Sequence, residues 1–113
     1  ELNFVPVRGD FARGILAMAY IDTPMTEAEA KQLYADYYRD AAFTHVIDRP
    51  VDLKQAVNTN KAILSIEKHG SKLLIVSAID NLLKGASGQA VQNMNLIFGI
   101  DETAGLRLKP SAF

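Results

Sequence analysis

Residues 61–79 constrain the fold of this chain most. Two apolar runs, Lys61-Ala62-Ile63-Leu64-Ser65-Ile66-Glu67-Lys68 and Lys72-Leu73-Leu74-Ile75-Val76-Ser77-Ala78-Ile79, flank the short polar segment His69-Gly70-Ser71. Runs rich in Ile, Leu and Val around a three-residue glycine-bearing loop predict a hairpin, with His69 as a solvated residue at its tip. The second run leads directly into Asp80-Asn81-Leu82-Leu83-Lys84-Gly85-Ala86-Ser87-Gly88, a polar bend carrying Gly85 and Gly88. A helix then runs from about Ala86 to Phe98, with Gly99 as its natural C′ residue. Where a strand enters a helix through a glycine-bearing turn, backbone N–H groups can approach a ligand. A tight corner that needs two glycines explains the same residues equally well.

The rest of the chain supplies the partners of that hairpin. Leu2-Asn3-Phe4-Val5-Pro6-Val7 alternates and reads as an edge strand or strand end, since Pro6 cannot donate to a ladder. Arg8-Gly9-Asp10 reads as a turn built on Gly and Asp rather than as an adhesion motif. Gly14 to Asp22 is almost unbroken apolar sequence and predicts a central strand covered on both faces. Thr26-Glu27-Ala28-Glu29 is a capping box opening a helix that runs to about Arg39. Ala30, Leu33, Tyr34, Tyr37 and Tyr38 share one face of it; with no accompanying Lys/Arg cluster, that stripe reads as core or interface packing rather than a platform for bases. Thr44 to Asp48 is a short strand, and His45 in it reads as a structural histidine rather than a general base. Arg49 to Asn60 reads as a loop that packs Val51, Leu53 and Val57. In the last helix Ala86, Ala90, Val91, Met94, Ile97 and Phe98 form an apolar stripe, and Gln89, Gln92, Asn93 and Asn95 crowd the remainder. Four amides there point to a polar partner, either another chain segment or a cofactor. The order β-β-α-β-β-β-α gives an α+β fold, a mixed or antiparallel sheet with helices on one face.

Composition excludes several classes of function. The 113 residues allow one hydrophobic core, and a net charge of −1 leaves no electrostatic footprint for nucleic acid or an anionic membrane. No apolar run approaches membrane-spanning length, so a soluble cytoplasmic protein is expected. With no cysteine and only His45 and His69, there is no thiol nucleophile and no metal site to predict. No catalytic constellation is complete, and Lys84-Gly85 lacks the preceding residues of a phosphate loop. The chain opens on Glu1-Leu2-Asn3-Phe4, not on methionine, and reads as a piece of something larger.

Three blocks carry a family resemblance. Phe4-x-Pro6 with Arg13-Gly14-Ile15-Leu16 is one. Asp80-Asn81-Leu82-Leu83-Lys84-Gly85-Ala86 through Gln92-Asn93-Met94-Asn95-Leu96 is the second, and Phe98-Gly99 with Glu102-Thr103-Ala104-Gly105-Leu106 the third. Together they resemble the C-terminal part of the N-acetyl-gamma-glutamyl-phosphate reductase family, within the aspartate-semialdehyde dehydrogenase-like superfamily. Val7 departs from the pattern, since many relatives place histidine there. The resemblance implies a fold like the C-terminal domain of glyceraldehyde-3-phosphate dehydrogenase. It also implies a division into a partial substrate and dimerisation domain over 1–80 and a helix and tail over 81–113 that return to a nucleotide-binding domain. The implied reaction is NADPH-dependent reduction of N-acyl-glutamyl phosphate to the semialdehyde in arginine biosynthesis. Its cysteine nucleophile and catalytic histidine lie upstream of this segment, so the chain alone is expected to be inactive. By resemblance Asn81 meets the nicotinamide end of NADP, with Lys84 and Gly85 shaping the same pocket, and the enzyme is a homo-oligomer, dimer or tetramer. The alternatives are a free-standing non-catalytic oligomerisation module and an aspartate-semialdehyde dehydrogenase fragment; the latter is weakened by residues 93–96 and 102–106.

Overall fold

A computed structural model describes residues 5–7 and 9–110 of the chain. The hairpin forms from β3 (Ala62–His69) and β4 (Lys72–Ile79), which pair antiparallel from Ala62↔Ile79 to His69↔Lys72. Because His69 and Lys72 are themselves paired, the loop is the two residues Gly70-Ser71 and not three. Gly70 takes φ +60° and Ser71 does not share it, which is the glycine-first turn that matches the twist of paired strands.

β1 (Ile15–Asp22) pairs antiparallel with β4, and the short β2 (Thr44–Val46) pairs parallel with β3. The sheet therefore has four strands in the order β1-β4-β3-β2. This corrects the placement of the first long run. β1 is an edge strand, not a central one, and all eight of its residues are exposed. An apolar run shows that a strand is fit to be covered, and among the described residues no element buries β1. The strand expected over residues 2–7 lies largely outside the described residues, and Val5, Pro6 and Val7 are not in a strand.

One sheet face is covered by α1 (Glu27–Tyr37). The Thr26 hydroxyl accepts from the Glu29 N–H at 3.2 Å while the Glu29 carboxylate accepts from the Thr26 N–H at 2.7 Å. The capping box is thus formed as the sequence predicts. Ala30 is buried against Leu64, Ile66, Leu73 and Ile75, with Tyr34 and Tyr38 packed at the margin. Leu33 and Tyr37, placed on the same face by spacing, are 54% and 79% exposed, so the buried stripe is narrower than predicted. On the opposite sheet face a 3-10 turn, Leu53–Gln55, breaks the predicted loop. Together with Val51 and Ile47 it covers Ile63, Ala56 and Ala78, and Val57 is buried as expected.

β4 ends in a π turn, Leu83–Ser87, which runs into α2 (Gly88–Ile97). The helix ends as predicted, with Gly99 at φ +67° and the Ile100 N–H donating to the Asn95 carbonyl at 2.8 Å. The apolar stripe expected on it is only partly covered: Met94, Ile97 and Phe98 are 44%, 77% and 74% exposed.

Candidate functional site

Antiparallel pairing brings three distant segments to one end of the sheet. Ile15 pairs with Ile79, and Ile79 also pairs with Ala62, so the residues before β1, before β3 and after β4 meet there. Those residues are Arg13-Gly14, Asn58-Thr59-Asn60 and the bend that begins at Asp80.

Asp80 sits at the centre of the junction and is fully buried. Its carboxylate accepts from the Arg13 Nη2 at 2.7 and 2.8 Å, from the Asn58 N–H at 2.7 Å, and from the Leu82 and Leu83 N–H groups, both at 2.8 Å. Burial pushes its pKa up, but the Arg13 guanidinium and the backbone donors more than offset this and hold the carboxyl below its ordinary value. Asn58 reaches the carboxylate from a left-handed backbone conformation, φ 64°, one of the few that asparagine tolerates well. One residue on, the Asn81 Oδ1 accepts from the Gly14 N–H at 2.7 Å. Gly14 itself has φ +113°, and a Cβ there would lie 2.6 Å from the Leu53 side chain.

The bend beyond Asp80 is wound wider than an α-helix. Gly85 N–H donates to the Asp80 carbonyl at 2.9 Å and Ser87 N–H to the Leu82 carbonyl at 3.0 Å, each five residues back. Gly88 fits where no side chain can. A Cβ there would lie 2.3 Å from the Asn60 Oδ1 and 2.8 Å from the Leu83 carbonyl carbon. Asn60 is also fully buried, and its Nδ2 donates to the Gln92 Oε1 at 3.0 Å.

The same Gln92 oxygen accepts from the Lys84 Nζ at 2.7 Å, and the Gln92 Nε2 donates to the Glu102 carboxylate. Asn95 Nδ2 donates to the Glu102 and Ala104 carbonyls at 3.3 and 3.0 Å. Gln92 and Asn95 are therefore committed to a chain segment, one of the two partners that the amide-rich helix suggested, while Gln89 and Asn93 are exposed. Burial lowers the pKa of Lys84, partly countered by Glu102, and its Nζ stands 5.9 Å from the centre of the Phe43 ring.

Asn81 is thus held by the Gly14 N–H and Gly85 by the Asp80 carbonyl, whereas the Lys84 ammonium is turned toward Gln92 and α2. Arg13, Asn58, Asn60 and Asp80 were not singled out from sequence. A lone acid directly after a buried strand was a visible signal for Asp80; Arg13, 67 residues away, stood in a block that carried the resemblance, but nothing local marked it as the partner. Among the described residues the His45 imidazole has no hydrogen-bond partner, and Asp48 stands 3.6 Å from Lys31 rather than serving the ring. A cleft of about 520 Å³ lined by His45, Arg49, Gln55, Lys61 and Ile63 shares no lining residue with the Asp80 corner. Among the described residues no group of His, Asp and Glu is placed to hold a metal ion, and no helix is long and apolar enough to cross a membrane.

With this geometry in hand, comparison with known proteins is decisive at the level of family. Residues 1–81 match the model described as semialdehyde dehydrogenase, dimerisation domain. The chain belongs to that family. Over all 113 residues it is 58% identical to an N-acetyl-gamma-glutamyl-phosphate reductase of Bacteroides fragilis and 59% identical to that of Parabacteroides distasonis, in each case covering 35% of the relative. It is 60% identical to the reductase of Azobacteroides pseudotrichonymphae, covering 36% of it. The chain thus spans about a third of the length of the curated relatives it matches. Its mixed sheet and two helices are those of an α+β dimerisation domain of the semialdehyde dehydrogenase type.

Proposed function

We propose that the chain is the substrate-side and subunit-pairing portion of an NADPH-dependent N-acyl-glutamyl-phosphate reductase acting in arginine biosynthesis in the cytoplasm. The observation that carries this reading is the Asp80-centred corner, at which Asn81 is locked in place at the end of a buried strand. A carboxamide ring needs a fixed amide or backbone partner to present one face, and Asn81, half-buried with its Oδ1 already engaged, is such a group. NADPH, when bound, supplies the hydride. The residues of this chain bind and orient: Asn81 meets the ring end, while Gly85 and the carbon stem of Lys84 shape the adjoining wall. The nucleophile belongs to another part of the enzyme, since this chain has no cysteine.

Two surfaces support the remainder of the reading. Leu16, Met18 and Tyr20 on β1 are 44%, 60% and 65% exposed and, by strand alternation, share a face with Leu74 and Val76. This apolar sheet face is where a second subunit pairs, giving a homo-oligomer. The exposed Met94 and Ile97 of α2, with Phe98 at its end, fit a helix and tail over 81–113 that return to a nucleotide-binding domain, leaving 1–80 as the substrate and pairing domain. In the intact enzyme, Asn81→Ala should raise the NADPH KM or slow hydride transfer with the thermal midpoint nearly unchanged. Unaltered kinetics would reduce Asn81 to a corner residue. The isolated 113-residue chain should oxidise no NADPH with any acyl phosphate.

A further inference from the structure

The Asn81 amide is held in one orientation. A backbone N–H can only donate, so the terminal atom of Asn81 that stands 2.7 Å from the Gly14 nitrogen is Oδ1. The other terminal atom, Nδ2, is a donor, and no group among the described residues accepts from it. The lock is built from two consecutive residues gripping two consecutive residues: the Arg13 guanidinium holds the Asp80 carboxylate while the Gly14 N–H holds Asn81. Asp80 fixes the far side of the same peptide by accepting from the Leu82 and Leu83 N–H groups. Rotation of the Asn81 amide by half a turn would set Nδ2 against the Gly14 N–H, leaving two donors facing each other.

We propose that Asp80 and Arg13 are positioning residues that present Asn81 Nδ2 as a hydrogen-bond donor, so that the cofactor group it meets is the carbonyl oxygen of the carboxamide and not its amino group. This rests on the reading of Asn81 as the nicotinamide contact. It adds a polarity to that contact and names the two residues that set it.

The test uses the full-length enzyme and direct binding of three probes. They are NADPH, the reduced 3-acetylpyridine analogue, which keeps the carbonyl oxygen and lacks the amino group, and adenosine 2′,5′-bisphosphate, which lacks the ring. Reduced rings carry no charge, so a new carboxylate at position 81 does not attract them. Wild type should bind the analogue within about threefold of NADPH. Asn81→Asp keeps an acceptor for Gly14 and removes the donor; it should weaken both dinucleotides about tenfold, the value of one hydrogen bond, with the bisphosphate unchanged. Asp80→Asn and Arg13→Met should weaken both dinucleotides by about threefold or more, again sparing the bisphosphate. An analogue bound about tenfold more weakly than NADPH by wild type, with that gap closed in Asn81→Ala, would mean that Asn81 accepts, overturning the polarity while the contact stands. Asn81→Asp binding both dinucleotides like wild type would instead sink the nicotinamide contact itself. Loss of bisphosphate binding in step with the dinucleotides in Asp80→Asn or Arg13→Met, or no loss of either, would overturn the positioning role.

Discussion

At the scale of single residues, the corner depends on one buried carboxylate. Asp80 must be ionised to accept from Arg13 and from three backbone N–H groups at once. Its folded-state pKa is depressed, so its contribution to stability is full above the ordinary carboxylate value of 3.8 and is lost as pH falls through the lower folded value. The thermal midpoint of the intact protein should therefore start to fall as pH drops below about 4 and keep falling until the folded carboxylate is protonated, and Asp80→Asn should flatten that drop because it removes the proton uptake. Arg13→Met leaves the buried carboxylate without its cation and should cost about 3 kcal/mol, toward the low end for broken buried pairs because Arg13 is 30% exposed. The glycines make a second contrast. A Cβ at Gly88 would overlap Asn60 and the Leu83 backbone, whereas at Gly85 the closest atom, the Asp80 carbonyl oxygen, is 3.3 Å away. Gly88→Ala should lower the thermal midpoint several times further than Gly85→Ala. Equal effects would show that Asn60 moves aside freely.

At the scale of elements, the sequence carried whatever is encoded locally. The Thr26 capping box, the hairpin around Gly70 and the Gly99 helix end rest on residues within a few positions of one another, and all three are present. Thr26→Ala removes the acceptor for the Glu29 N–H and the hydroxyl donor, though not the backbone donor, to the Glu29 carboxylate; a loss of about 1 kcal/mol in chemical denaturation is expected. What was not legible depends on distant partners. The run from Gly14 to Asp22 is apolar enough for a central strand, but its place at the sheet edge is decided by β4 choosing it as a neighbour. Leu33 and Tyr37 lie at the right helical spacing yet are exposed, because α1 turns Ala30, with Tyr34 and Tyr38 at its margin, toward the sheet core. Around the corner, Asn81, Lys84 and Gly85 were singled out by a family resemblance carried on one contiguous motif. The Asp80 hub was not, since its partners come from segments 22 and 67 residues away.

At the scale of the molecule, apolar surface is distributed unevenly. α1 and the 3-10 turn cover parts of the two sheet faces, while β1 keeps Leu16, Met18 and Tyr20 open alongside a free edge. Burying such a strip from two subunits would favour association at roughly 25 cal/mol per Å² of apolar area. Met18→Glu combined with Tyr20→Asp should shift the intact protein toward monomer in sedimentation or light scattering, with the single-subunit secondary structure retained. An unchanged assembly would place the pairing surface elsewhere.

The widened turn after β4 also sets the phase of everything behind it. From Leu83 to Ser87 the chain accommodates an additional residue relative to ordinary helical winding. Winding the same five residues at standard helical pitch would swing α2 by about 100° about its own axis. Gln92 would then face away from Asn60 and Lys84, and Asn95 away from the Ala104 carbonyl, to which they now donate or from which they now accept. The winding of those five positions is thus a structural quantity in its own right, separate from which side chains occupy them.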